Sequence, residues 1–232
     1  NGSSIKANEV TVDSGESSHV TVGGRIDVTG EAVGGVVTIL GDHINVFDAE
    51  IYASGSTAGG SVFIGGDYKG EGPLRNARMS FMNEGSSIIA DAVVEGDGGK
   101  VILFAEENTI FDGFISAKGG PLGGNGGLVE TSGKQNLGVL TGQVDTIAAL
   151  GERGSWLLDP ITVIIASGGT ASYDDVDCGT GGSGNFTIDP IVLNAQGADV
   201  CIEALASITV SNDVVLNTPG ASLTFQGGIL YL

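Results

Sequence analysis

The chain has 232 residues, of which 41 are Gly and only 5 are Pro, and 41% of its residues are hydrophobic. The Gly has no three-residue period, which excludes collagen, and the apolar fraction is too high for a disordered chain. Twenty-eight acidic residues stand against nine basic ones, a formal charge of −19. Such a surface repels phosphate, so we expect no nucleic acid partner, and no apolar run is long enough to predict membrane insertion.

The predicted strands form an internal repeat. Short alternating strands open the chain up to about residue 29, and then a Gly-Gly pair followed by four or five apolar or β-branched residues recurs. This pattern is typical of a strand bounded by tight turns. The copies begin at Gly34, Gly59, Gly98 and Gly126. The first two lie 25 residues apart, and the longer interval that follows contains a breaker-rich stretch, which predicts a loop inserted at about 67–80.

The length of the repeat selects the fold class. A period of 20 to 50 residues indicates a solenoid, a propeller or an array, and about 25 residues is too short for a four-stranded propeller blade. One coil of a parallel β-helix fits, with corresponding strands stacked about 4.8 Å apart around a narrow apolar core. We therefore predict an all-β solenoid of about ten coils, and we attribute its many glycines to positive φ at tight corners.

The repeat becomes less regular after residue 166. We divide the chain into motif-rich coils over 1–165 and plainer coils over 166–232, which begin with a loop-rich stretch. Strands are still predicted in the second part, among them 191–193 and 214–216. The chain starts without Met and stops within a strand-like phrase, which favours a truncated piece of a longer protein.

An ordered set of motifs spans roughly residues 34 to 165. Gly-Gly-x-Val-x-Ile-Gly-Gly-Asp-Tyr-x-Gly begins at Gly59, Gly-Asp-Gly-Gly-Lys-Val-Ile at Gly96, Gly-Gly-Leu-Val-Glu-Thr-Ser-Gly at Gly126 and Gly-x-x-Leu-Leu-Asp-Pro at Gly154. In this order they resemble large exoproteins of the filamentous haemagglutinin type, which bacteria export by two-partner secretion. The Asn-Pro motifs of that family's secretion-signal domain are absent.

The resemblance implies a right-handed parallel β-helix, displayed on the bacterial surface or secreted, that acts in adhesion or as a structural stalk. It implies an outer-membrane transporter as the partner during export, and a glycan or protein on a host or neighbouring cell as the target. The family offers no catalytic residues to transfer. A self-assembling extracellular fibre subunit is the alternative, because the ends of a solenoid expose strand edges through which rods could associate end to end.

The two cysteines and a nearby acidic loop are the candidate sites. Cys178 and Cys201 lie 23 residues apart, about one coil, so we predict that they stack on adjacent coils and form a disulfide outside the cell. Two unpaired thiols are the alternative. Asp174, Asp175 and Asp177 are weak candidates for a calcium site in a Gly-rich loop. A solvated acidic loop is the favoured interpretation, so no cofactor is predicted.

An enzyme is the least favoured interpretation. A polysaccharide lyase or hydrolase on a β-helix needs two close carboxylates, or a bound calcium ion with a base. Asp67 with Glu71, and Asp91 with Asp97, are the candidate pairs. The chain is poor in basic and aromatic residues for a sugar-binding cleft. We therefore predict no enzymatic activity.

The two histidines give no sign of chemistry either. His19 and His43 are far from both cysteines in sequence, so the four ligands of a zinc site are not available. No Gly-x-Ser-x-Gly motif accompanies them. Both are expected at the surface.

Overall fold

The computed structural model describes residues 3–168, 186–194 and 196–232. Over these residues the chain is all-β, and every pair of neighbouring strands in its sheets is parallel. The predicted class, all-β with parallel sheets, is confirmed, and the arrangement is consistent with a β-solenoid. No helix within these ranges has the length and apolar character needed to span a bilayer.

The described strands belong to three sheets. Sheet A contains β1 (Ser4–Lys6), β3 (His19–Asp27), β5 (His43–Tyr52), β7 (Met79–Met82), β8 (Ser87–Ile89), β10 (Asn108–Phe111), β11 (Phe114–Ser116), β13 (Asn136–Gly138) and β14 (Gln143–Asp145). Sheet B contains β2 (Glu9–Asp13), β4 (Val36–Leu40), β6 (Ser61–Ile64), β9 (Lys100–Ala105), β12 (Leu128–Gly133), β15 (Ser155–Leu158), β17 (Asp199–Glu203) and β19 (Leu223–Gln226). Sheet C contains β16 (Thr162–Ile165), β18 (Ser207–Val210) and β20 (Ile229–Tyr231). A 3-10 turn, η1, covers Tyr68–Gly70, and a short helix, α1, covers Pro190–Asn194.

Neighbours within sheet B come from successive sequence repeats. Val37, Val62, Val101, Val129 and Trp156 are aligned in register across five strands, and all five are fully buried. Because side chains alternate along a strand, this register places one row of each strand in the interior. The main apolar core extends from β2 to β18, and a small second cluster contains Met79, Phe81 and Ile110. The ladder of sheet B continues from β15 to β17 across residue 166.

The Gly-Gly repeat is explained by close backbone approach. A Cβ atom on Gly60 would lie 2.2 Å from the carbonyl oxygen of Gly35, one on Gly99 would lie 2.2 Å from that of Gly60, and one on Gly127 would lie 2.0 Å from that of Gly99. None of these glycines has a positive φ. The expected explanation by positive φ is therefore wrong here. Successive coils stack so closely at this corner that an L side chain would collide with the previous coil.

Two segments predicted as strands have other structures. Residues 191–193 lie in α1, where Pro190 suits the first helical position and the Asp189 carboxylate accepts a hydrogen bond from the Ile191 amide at 2.9 Å. Residues 214–216 have no regular secondary structure. Short apolar runs suit a buried strand or a buried helical turn equally, so the sequence pattern did not separate the alternatives.

Candidate functional site

Within the connection between β6 and β7, residues 65–76 depart from the repeat and fold back across the outer face of sheet B. We call them the inserted loop. A Cβ atom on Gly65 would lie 2.2 Å from the carbonyl oxygen of Phe104, and one on Gly70 would lie 2.4 Å from Cζ of the Phe104 ring. Phe104 is 2% exposed. The loop therefore covers a side chain that points away from the main core.

Hydrogen bonds hold the inserted loop in one conformation. The Asp67 carboxylate accepts from the Tyr68 amide at 2.8 Å and begins η1. Nδ2 of Asn76 donates to the Gly70 carbonyl at 2.9 Å and to Oε1 of Glu106 at 2.7 Å. Between these contacts Lys69 adopts a left-handed conformation with φ 57°, which is unfavourable for a residue with a Cβ atom. The loop thus directs the Lys69 amide towards sheet B.

Glu130, at the centre of β12, is the residue that receives this amide. It is aligned between Ile102 of β9 and Leu157 of β15 and is fully buried. Its Oε2 accepts a hydrogen bond from the Lys69 amide at 2.9 Å, whereas its Oε1 has no hydrogen-bond partner among the described residues. Burial raises the pKa of Glu130 to about 7, and the Lys69 amide and the Ser132 hydroxyl oppose this in part. The carboxyl group therefore changes its charge near neutral pH.

The charges of Lys69 and Asp159 act on Glu130, and Glu203 is connected to it through Lys69. We call Lys69, Glu130, Asp159 and Glu203 the acidic cluster. The Lys69 ammonium donates to Oε2 of Glu203 at 2.7 Å, and this hydrogen bond raises the pKa of Lys69. The Asp159 amide donates to the Ser132 hydroxyl at 3.1 Å, and burial raises the pKa of the Asp159 carboxyl. The cluster therefore joins the inserted loop to three successive coils.

The members of the acidic cluster differ in their access to solvent. Asp159 and Glu203 border an open cavity of about 350 Å³, together with Leu205 and Gln226, and Glu130 is outside that lining. Glu130 can bind or release a proton, but it cannot touch a ligand while the loop covers it. Protonation of Glu130 therefore affects the contact between the inserted loop and sheet B.

The candidate carboxylate pairs have other contacts. Asp67 caps η1, and the amide of Glu71 donates to the Tyr68 carbonyl at 3.1 Å in the same turn. Asp91 accepts from the Ser116 hydroxyl at 2.6 Å and the Lys118 amide at 2.7 Å.

Asp97, the remaining member of the two candidate carboxylate pairs, accepts a hydrogen bond from the Asn125 amide at 2.7 Å. Like Asp91, it therefore binds groups of the following coil. These bonds give both aspartates a role in holding successive coils together. Neither sequence pair forms the cluster that the structure assembles around Glu130.

The other candidate site residues are only partly within the described ranges. Asp174, Asp175, Asp177 and Cys178 lie outside the described residues, so the calcium site and the disulfide stay predictions. Cys201 is partly exposed in β17, and burial raises the pKa of its thiol. Within the described ranges, no three His, Cys, Asp or Glu side chains are grouped to hold a metal ion.

The expectation for the histidines is wrong for His43, which is 2% exposed. It stacks on the exposed His19 with ring centroids 4.5 Å apart. The Arg78 guanidinium donates to its Nε2 at 2.9 Å, and its Nδ1 lies 2.9 Å from Oδ2 of Asp42. Burial and the charge of Arg78 lower the pKa of His43, which favours the neutral ring.

Sequence reasoning did not predict the acidic cluster, although the sequence contains one signal for it. The segment Val101-Ile102-Leu103-Phe104 is apolar at every position, whereas a strand with one solvated face alternates. Such a run predicts that both faces of the sheet are covered at this coil. It does not say which segment provides the cover.

Comparison of the chain with protein family models and with curated proteins found no match.

Proposed function

We propose that the chain is a segment of a secreted or surface-displayed bacterial exoprotein and acts in adhesion or as a structural stalk. In this proposal it folds as a right-handed parallel β-helix of about ten coils, on the order of 45 to 50 Å long at the strand spacing. An outer-membrane transporter would export it. Its targets would be glycans or proteins on a host or neighbouring cell.

The observation that carries the proposal is the in-register row from Val37 to Trp156. Residues from successive repeats occupy the same position in successive strands and share one apolar core. A structure in which each coil contacts chiefly its neighbours extends along one axis and presents a long lateral surface. Elongation and surface area are the properties that a stalk or an adhesin requires.

The acidic composition supports an extracellular rod with a well-solvated exterior. A formal charge of −19 keeps such rods apart in solution by mutual repulsion. No enzymatic activity is part of the proposal. Glu130, whose pKa burial raises to about 7, is covered by the inserted loop.

A self-assembling fibre subunit is the second candidate, and the edge strands favour it. Strand β2 is at one edge of sheet B and β19 is at the other. Beyond β19, the strand β20 has exposed Ile229, Leu230 and Tyr231. Parallel pairing of β19 from one copy with β2 from another would extend the ladder in the same direction.

Electron microscopy of the purified chain over a hundredfold range of concentration tests both candidates. Discrete rods near 50 Å long at every concentration are expected from the adhesin or stalk. Filaments that lengthen with concentration would favour the fibre subunit, and compact globular particles would contradict both. Binding to a glycan array and to cultured cells then separates an adhesin from a stalk, because only an adhesin binds a target as a single rod.

A further inference from the structure

Five segments connect sheet A to sheet B in successive coils, and together they form one edge of the molecule. They are residues 30–34, 55–59, 92–98, 118–126 and 147–154. We call them the tip segments. Each precedes a strand of sheet B, namely β4, β6, β9, β12 and β15.

Hydrogen bonds hold neighbouring tip segments side by side. The Thr57 amide donates to the Ala32 carbonyl at 2.7 Å, and the Val94 amide donates to the Ser56 carbonyl at 3.1 Å. The Leu122 amide donates to the Val94 carbonyl at 3.0 Å. The Glu152 amide donates to Oδ1 of Asn125 at 2.9 Å. The edge is therefore an ordered surface and not a set of independent loops.

Exposed apolar side chains recur along this edge. Val33, Val93, Val94, Leu122 and Leu150 are all exposed, and Leu122 and Leu150 have exposed fractions of 69% and 74%. Four of the five tip segments contribute to the row. At the strand spacing of about 4.8 Å per coil, the row is about 20 Å long. Apolar side chains repeated along one edge indicate an interaction surface, whereas single exposed ones do not.

The charges around the row indicate the partner's sign. Two basic residues lie on the tip segments: Lys118 forms ion pairs with Asp91 and Asp145, and the Arg153 guanidinium donates to the Pro219 carbonyl at 3.0 Å. The remaining charges of these segments are acidic. Glu31, Glu95, Asp97 and Glu152 are exposed on the same segments, and none of them forms an ion pair with another described residue. Two acidic rows of this kind would repel each other, so a second copy of the chain is disfavoured as the occupant. A partner with basic groups beside its apolar surface would be attracted.

We propose that the tip segments bind a basic amphipathic helix of a partner protein. An α-helix rises about 5.4 Å per turn, close to the spacing of about 4.8 Å between coils, so a stripe with one apolar residue per turn can run along the row. The tip at 55–59 has no exposed large apolar side chain, so the helix turn that faces it makes no apolar contact there. Lys or Arg beside that stripe would face the four carboxylates. This inference rests on the proposed function, because it names the face through which an adhesin would bind a protein.

The test uses the whole chain and a synthetic 18-residue helical peptide with Leu along one stripe and Lys elsewhere. A second peptide carries Glu in place of every Lys. The variants are L122S/L150S on the row and L205S as the matched control, since Leu205 is 81% exposed and outside the tip segments. Isothermal titration calorimetry at low and high salt gives the affinities, and thermal unfolding confirms that the variants fold.

We expect the Lys peptide to bind, the Glu peptide not to bind, and salt to weaken the binding. The double variant should bind at least tenfold more weakly, and L205S should bind within twofold of the unaltered chain. Equal binding by both variants, or binding of both peptides, would overturn the inference.

The remaining outcomes separate this inference from the function on which it rests. If L122S/L150S abolishes dimers that analytical ultracentrifugation detects in the unaltered chain, the row is a contact between copies and the inference is overturned. Rods that bind cells but not the Lys peptide would overturn the inference and leave the proposed function intact. Loss of the rod shape in microscopy would contradict the proposed function itself.

Discussion

The carbonyl oxygen of Gly60 lies 2.2 Å from the point that a Cβ atom of Gly99 would occupy, although the two glycines are 39 residues apart in sequence. The same relationship joins Gly99 to Gly127. Glycine at this corner is thus a requirement of stacking one coil on the next. A substitution there tests the stacking directly.

The variant G99A should lower the free energy of unfolding by about 3 kcal/mol, because a methyl group cannot fit without moving a backbone. The control is G15A. Gly15 has φ +86° with no atom within 4 Å of an added Cβ, so that substitution should cost only about 1 kcal/mol of backbone strain. Urea unfolding measures both. Equal losses would mean that the coils separate easily at this corner.

The variant E130Q should remove a pH dependence of stability. The pKa of Glu130 is raised to about 7 from 4.5, so the folded chain binds the proton more tightly than the unfolded chain. Stability from this group is greatest at low pH and is lost as the pH rises from about 4.5 to about 7. Between pH 4.5 and pH 8 the unaltered chain should lose about 3 kcal/mol relative to E130Q.

Urea unfolding at several pH values measures this difference, and E16Q is the control because Glu16 is exposed. The pH profile of E16Q should have the same shape as that of the unaltered chain. Parallel pH profiles for E130Q and the unaltered chain would show that the inserted loop does not bury the carboxyl group in solution.

The variant T131V should destabilise the core by about 1 to 3 kcal/mol. Trp156 is fully buried, and its indole nitrogen donates to the Thr131 hydroxyl at 2.9 Å, so the variant leaves a buried donor without an acceptor. The chain has one tryptophan, which makes its fluorescence specific. T131V should shift the emission maximum and T131S should preserve it. An unshifted T131V spectrum would count against this hydrogen bond.

His43 should destabilise the fold at mildly acidic pH. Its pKa is lowered in the folded chain, first by burial and then by the Arg78 charge, while Asp42 acts in the opposite direction and His19 adds to the lowering. The stability that the neutral His43 ring contributes is complete above the pKa of the unfolded chain, about 6.5. It is lost as the pH falls through the lower pKa of the folded chain. Glu130 stabilises the folded chain as the pH falls, over a pH range that overlaps with that of His43. The effect of His43 is therefore measured in chains that carry E130Q. H43Q should have a flatter pH profile there, and an unchanged profile would contradict the prediction.

Local sequence patterns predicted the strands well where several signals agreed. At Val36–Leu40 and Ser61–Ile64 a Gly-Gly pair, β-branched residues and a 25-residue offset coincide, and both segments are strands in register. At 191–193 the apolar run stood alone, and Asp189 and Pro190 directed the chain into a helical turn instead. A short apolar run carries no information about its own period.

The sequence by itself determined the all-β class and the parallel stacking of repeats, because both follow from local periodicity and from the recurrence of one phrase. Only the tertiary structure decided that Glu130 is buried, since the inserted loop that covers it is 61 residues away. The same holds for His43, whose neighbours Arg78 and His19 come from adjoining coils. Burial and the resulting pKa shifts depend on which segments distant in sequence contact each other, and the strand period does not determine those contacts.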